Sequence, residues 1–243
     1  MSPEAKQKIQ LALLAALVVA TIRAGVIFYD RHEDRIAAEK AKHSADVGYS
    51  NADYYVSPKK LYPFDLKSAK QLTLQPAWIR EGYHSVYYRY TPGKGVDFAH
   101  EAGLLGPIER LKIIDVVTAS ALGVNERQVM AVIEKEGNKY AFPIGIQAEG
   151  EYKIYFDDML FIEDPHELYK HWPPDTWQTI DQHEVKPGMT ELQANFALGM
   201  GVPDSGGSTL EKTVRYPDGG KPMVVVFHDG KAVEIHPDAP ATK

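Results

Sequence analysis

The stretch Ile9–Tyr29 constrains this chain more than any other feature of its sequence: it is rich in Ile, Leu, Val and Ala and is interrupted only by Gln10, Thr21 and Arg23. As a helix it rises about 31 Å at roughly 1.5 Å per residue, enough to cross a hydrocarbon core of about 30 Å. Arg23 opposes that reading, since a cation in mid-bilayer costs about 2.5–3.5 kcal/mol on insertion scales. Its long stem can carry the charge toward the interface, because it stands close to the end of the run. A cleaved signal peptide and a buried core helix are the rival readings. Lys6 and Lys8 supply a basic start and Val18-Val19-Ala20 loosely imitates a cleavage site. The apolar run resumes at Ala24–Phe28, however, which suits an uncleaved signal-anchor better. The sequence therefore predicts a transmembrane helix that contacts the membrane through residues 9–29. Lys6 and Lys8 precede it, while Arg31, Arg35, Lys40 and Lys42 follow. Counting basic residues alone places the C-terminal side in the cytoplasm; the usual layout of a signal anchor places it outside.

The 243 residues leave room for two further domains. A hydrophobic fraction of 44% and a charged fraction of 25% fit chains that bury a core. A net charge of −6 gives no basic footprint for nucleic acid. The absence of cysteine excludes disulfides, thiolate metal sites, a cysteine nucleophile and an N-terminal lipidated cysteine. Asp30–Ala45 has no Pro or Gly and continues the helix as a connector, with Arg35 and Glu39 at an i,i+4 spacing. Gly48–Pro63 then breaks the pattern.

Beyond Pro63 the period changes to two. His84–Thr91, Arg110–Val117, Gln128–Lys135, Lys139–Ile146, Tyr152–Phe156 and Met159–Ile162 read as short strands. Tight turns at Gly137-Asn138 and Glu149-Gly150 and little helix predict a small, partly open SH3-like β-barrel over residues 48–164. Residues 165–243 read differently. His166–Trp172 and Asp175–His183 are predicted helices, with Asp175 capping the second. Thr190 and Gln193 have capping-box spacing, and Gly199 stops the helix they open. Thr209–Tyr216, Pro222–His228 and Lys231–His236 are predicted strands, the last two joined by Asp229-Gly230, a type I′ hairpin signal. The predicted fold class is α+β: an anchor with its connector (1–47), an SH3-like β-domain (48–164), and a two-helix plus antiparallel-sheet domain (165–243).

In that last region Gly188-Met189-Thr190, Gln193, Leu198-Gly199, Pro203, Tyr216, Val226-Phe227 and Asp229-Gly230-Lys231 resemble the BamE/SmpA–OmlA-like family over about residues 177–236. The resemblance implies a β-lactamase-inhibitor-protein-like envelope domain, two helices on a three- or four-stranded antiparallel sheet, that acts by protein binding. It also implies a place in the bacterial cell envelope; joined to the anchor reading of residues 9–29, it places the chain in the inner membrane as a single-pass protein with its domains periplasmic.

No chemistry-bearing motif stands out against its plainer reading. No His-Glu-x-x-His occurs. Asp157, Asp158, Glu163, Asp164 and His166 form an acidic cluster that a hard cation could use, or that a turn and a helix start could use equally. Thr91–Gly95 lacks phosphate-loop spacing and reads as a turn; Gly199–Gly207 lacks dinucleotide spacing and reads as a helix stop and loop. Trp78, Trp172, Trp177, Tyr152, Tyr155 and Phe161 read as packing, with a partner groove as the sharper alternative. The sequence therefore predicts a non-enzymatic membrane-anchored interaction or scaffold protein, with no catalytic, cofactor or metal residues and with a protein partner. The alternatives are an accessory single-helix subunit of a large membrane complex and a hydrolase using Asp157, Asp158 and His166.

Overall fold

Three antiparallel sheets and five short helices make up the structure, a computed structural model that describes residues 56–120 and 126–238. In chain order, α1 (Leu66–Ala69) runs into a 3-10 turn (Lys70–Leu74) and is followed by β1 (Ala77–Ile79), β2 (Ser85–Thr91), β3 (Gly95–Leu105) and β4 (Arg110–Leu111). Next come β5 (Ile113–Ser120), β6 (Arg127–Lys135), β7 (Asn138–Ala148) and β8 (Glu151–Ile154). Then α2 (Phe156–Met159), β9 (Leu160–Phe161), α3 (Pro165–Leu168), α4 (Pro174–Asp181) and α5 (Glu191–Leu198) lead to β10 (Val202–Pro203), β11 (Lys212–Tyr216), β12 (Met223–His228) and β13 (Lys231–Pro237).

The largest sheet has the order β3-β2-β7-β6-β5. Strand β7 is long enough to serve two neighbours on one edge, pairing β2 at Ala141 and Tyr140 and β8 from Gly145 onward. Closure into a barrel would need the outer strands to pair with each other, which requires a consistent tilt and stagger. Here β3 and β5 remain separate edges, so the expected SH3-like barrel is corrected to an open six-stranded sheet. The misreading has a local cause. Strands β1, β4 and β9 leave the main sheet and form a small one of their own, in the order β4-β1-β9.

That small sheet joins two cores. Side chains alternate across a strand, so Ala77, Ile79, Leu111 and Leu160 enter a first core with Leu105, Phe142, Ile144 and Phe156. Trp78 and Phe161, one residue out of phase, enter a second core with Tyr169, Trp172, Trp177, Phe196, Tyr216 and Phe227. Direct pairing of Trp78 with Phe161 and of Ile79 with Leu160 fixes this register. A one-residue slip would exchange the two sets.

The second core is closed by α4 and α5 on one face of the sheet β10-β11-β12-β13, through Trp177, Ile180, Phe196 and Leu198 against Val214, Tyr216, Val225 and Phe227. Thr190 and Gln193 form a reciprocal capping box at the start of α5. Gly199, at φ 88°, ends that helix. Asp229 and Gly230 both take positive φ, 49° and 70°, as a type I′ turn between β12 and β13 demands.

The longest described helices, α4 and α5, have eight residues each and rise about 12 Å, against a hydrocarbon core of about 30 Å. No helix among the described residues is long and apolar enough to cross a membrane. The expected span Ile9–Tyr29 and its connector lie outside the described residues. The fold class is thereby corrected to open antiparallel sheets with short helices. The transmembrane and signal-anchor reading and the single-pass inner-membrane localisation are corrected with it.

Candidate functional site

The acidic cluster singled out in the sequence turns out to be two separate structural devices. Asp157, at the start of α2, accepts hydrogen bonds from the backbone amides of Leu61 (2.9 Å) and Tyr62 (2.7 Å). Asp158 pairs with the Lys60 ammonium at 3.0 Å. Glu163 receives both the Lys59 amide at 3.0 Å and its ammonium at 2.9 Å. Together they clip the segment 59–62 onto the first half. The Lys59 side-chain hydrogen bond holds Glu163 below the usual carboxylate range, with burial working against it. Tyr62 carries a positive φ of 49°, so the clip holds a strained backbone in place.

His166 belongs elsewhere. Asp164 caps α3 by accepting the His166 amide at 2.9 Å, and the imidazole lies 3.0 Å from both Asp164 Oδ1 and Asp181 Oδ1. The ring also stacks on Trp177, with centroids 4.1 Å apart. Asp157 and Asp158 thus serve the incoming segment 60–62, and His166 serves the junction of α3 with α4. The hydrolase candidates are not brought together as one constellation. Asp175 does not cap α4: Pro173 occupies the cap position and Asp175 pairs with Lys186, which lowers its pKa through that hydrogen bond.

The glycine-rich stretches resolve similarly. Thr91–Gly95 is the turn between β2 and β3. At Gly201 a Cβ would lie 2.2 Å from the Val214 side chain and 2.8 Å from the Tyr216 ring, so the residue is there for close packing. The three tryptophans are buried in the second core, and Trp172 and Trp177 also line a shallow surface pocket with His166, Lys170 and Asp181. The Tyr216 hydroxyl is also buried without a hydrogen-bond partner, and burial, seconded by Glu191, raises its pKa steeply.

Among the described residues one set, Glu211, His228 and Asp229, has ligand atoms close enough for a cation. Sequence reading overlooked it, because Glu211 comes from the loop facing the hairpin tip. Its carboxylate already receives the Asp229 amide at 3.1 Å and lies 2.7 Å from His228 Nδ1. The hydrogen bond to Glu211 raises the His228 pKa, and a retained proton competes with a cation for that ring. All three side chains are exposed. The set ties the β12–β13 turn to the loop before β11.

What the second half leaves open is a sheet face. Val214, Tyr216, Val225 and Phe227 point into the core, so the alternate residues Thr213, Arg215, Val224 and Val226 point away from it. The register places Val202, Arg215, Val224 and His236 in one row across all four strands, and Thr213, Val226 and Glu234 in a neighbouring row. Val224 and Val226 are half-buried and stand outside all three apolar clusters; Val202 is 63% exposed. Charges ring these valines. Arg215 bridges Asp204 at 3.0 Å and Asp238 at 3.1 Å, and Glu234 pairs with His236 at 3.3 Å. The signal in the sequence is the unbroken apolar run Met223–Phe227, which is what a strand with two apolar faces looks like. The chain matches no known protein family, no curated protein and no solved structure.

Proposed function

We propose that this is a non-enzymatic interaction protein whose second half holds a protein partner on the open face of the β10–β13 sheet. The observation that supports this reading is the composition of that face: Val224 and Val226 on the inner strand β12, Val202 on the β10 edge, and Arg215, Asp204, Glu234 and His236 around and between them. An apolar centre within a polar rim is the usual anatomy of a protein interface. We further propose that residues 177–236 form a domain of the BamE/SmpA–OmlA-like type, a reading supported by α4 and α5 lying on one face of a four-stranded antiparallel sheet. An accessory subunit of a larger assembly is the second reading. It is favoured by Tyr62 and Phe64, which are 76% and 77% exposed beside a clipped backbone.

Photo-crosslinking tests the choice. A crosslinking residue at Val226 is expected to capture one discrete protein from the source cells, and one at Asn138, the exposed first residue of β7 in the other large sheet, is expected to capture none. Val224→Glu with Val226→Glu should release that protein while the thermal midpoint of the isolated chain stays near that of the parent. Retention of the partner by the doubly substituted face, with its loss on replacing Tyr62 and Phe64 by serine, would favour the second reading.

A further inference from the structure

Where the two halves meet beside the small sheet, a cleft of about 760 Å³ is lined by residues of both, among them His84, Leu104, Glu109, His183, Glu184 and Lys221. Two backbone hydrogen bonds at Gly82 tie the halves together two residues before His84. The Gly82 amide donates to the Asn195 carbonyl at 3.1 Å, and the Met200 amide donates to the Gly82 carbonyl at 2.9 Å. Two residues along, His84 is set into the second half. A Cβ on Gly199 would lie 2.3 Å from the ring's Cε1, and one on Gly219 would lie 3.9 Å from its Nε2. The ring therefore occupies a seat that requires glycine at 199, with Gly219 at ordinary contact distance on its other side.

The surroundings of that seat suit a neutral ring. Among the described residues no hydrogen bond is made by the His84 imidazole, so no acceptor is in place for a second proton. His183, in the turn after α4, directs its Nδ1 to the Ala197 carbonyl at 3.1 Å. Of the remaining charged groups that line the cleft, Glu109 from the β3–β4 turn is taken by Lys135 at 2.6 Å and by the Gly106 amide at 3.3 Å. Glu184, beside His183, and Lys221, ahead of β12, are both exposed to solvent and of opposite sign. On its own side, Arg80 and Glu81 are paired with each other at 2.9 Å. Burial first, and the charge of His183 second, press the His84 pKa below that of an ordinary histidine.

We propose that His84 is a pH-operated latch at this seam: neutral, its ring fills the space between Gly199 and Gly219 and keeps the halves joined at Gly82 and Met200; protonated, it leaves that seat and the cleft opens. The sign follows from the geometry. A histidine whose folded-state pKa is depressed contributes its full stabilisation above its unfolded value of about 6.5 and loses it as pH falls through the folded value. The latch is closed at neutral pH and released in mild acid.

Amide hydrogen exchange on the full chain, corrected for intrinsic rates, reads the latch at Gly82 and Met200. Between about pH 7.5 and about pH 5.5, the range of histidine titration, exchange at these two amides is expected to accelerate several-fold in the parent. It should stay level in His84→Gln, and keep most of its pH response in His183→Gln. An equal acceleration in His84→Gln would overturn the proposal. A ring titration by NMR needs no substitution and settles the case in which that variant does not fold. His84 titrating at or above the ordinary histidine value would sink the idea, and titration below it, in step with the exchange at Met200, supports it.

Discussion

The two larger sheets of this molecule treat their second face in opposite ways. In the six-stranded sheet, Met130, Val132 and Ala141 point away from the first core, yet each is fully buried. Tyr88, Tyr90 and Phe98, with Val96, Ile114 and Val117, close over them, and the Tyr88 and Phe98 rings lie 5.3 Å apart. Rings on β2 and β3 shelter Met130, Val132 and Ala141 on β6 and β7, so this sheet covers itself. The four-stranded sheet puts all its large rings on the helix side. Its other face carries Val202, Val224 and Val226 with no Phe, Tyr or Trp beside them in its rows. Apolar residues on a second sheet face therefore mean different things according to whether the same face also supplies a cover. Where it does, they are core. Where it does not, they are available to another molecule.

The comparison can be broken most sharply by truncation. Met130→Ala should cost about 2–5 kcal/mol, the range for deleting a fully buried side chain of that size. Val226→Ala, from a half-buried position outside the cores, should cost less than about 1 kcal/mol. Denaturant midpoints at constant m-value read both. Similar losses at the two sites would mean that the second sheet's open face is as enclosed as the first sheet's.

A smaller effect tests whether the hairpin that frames the open face is held by its turn. Gly230→Val forces a β-branched residue into a φ of 70° and should cost on the order of 1–3 kcal/mol. A loss of only a few tenths would contradict the tight-turn assignment. The smallest effect concerns the first half's clip. Glu163 is held below the usual carboxylate range by Lys59, so its contribution is present above about pH 4.5 and is lost as pH falls through its folded value. Glu163→Gln should lower stability at pH 7 by about 0–1 kcal/mol, as for partly exposed ion pairs, and the gap to the parent should close in acid. A gap that persists well below pH 4 would assign the loss to packing instead.

Local signals in the sequence were the legible ones. The Thr190–Gln193 capping box, the Asp229-Gly230 turn and the Thr91–Gly95 turn each rest on residues within a few positions of one another. Strand β3 escaped because its pattern is mostly exposed and its pairing with β2 shifts register at Tyr87/Tyr88 and again before Tyr90. Strand β1 is three residues long, and its partners β4 and β9 lie far along the chain in opposite roles. The acidic cluster was visible as residue types, but what Asp157 does depends on amides 96 and 95 residues earlier. Asp175 lost the cap to Pro173, and Pro174 opens the helix, its missing N–H and fixed φ suiting the first turn. The valine face could be read as an apolar run, whereas its lack of cover depends on which side of the sheet the helices choose.

The small sheet of β1, β4 and β9 also decides how the molecule comes apart. Because neighbouring residues on one three-residue strand feed different cores, neither half can melt without stripping Trp78 or Ile79 from the other's interior. The halves are bound into one cooperative unit, and an amide-exchange map should lack the two independent foldons that their separate sheets suggest. Synthesis imposes an order on this arrangement. Strand β1 emerges early but stays without Phe161 and Leu160 until β9 follows, more than eighty positions later. The second core that Trp78 enters follows later still, from Tyr169 to Ala232. A fragment beginning after β9 would carry the complementary defect, an aromatic cluster with one wall missing.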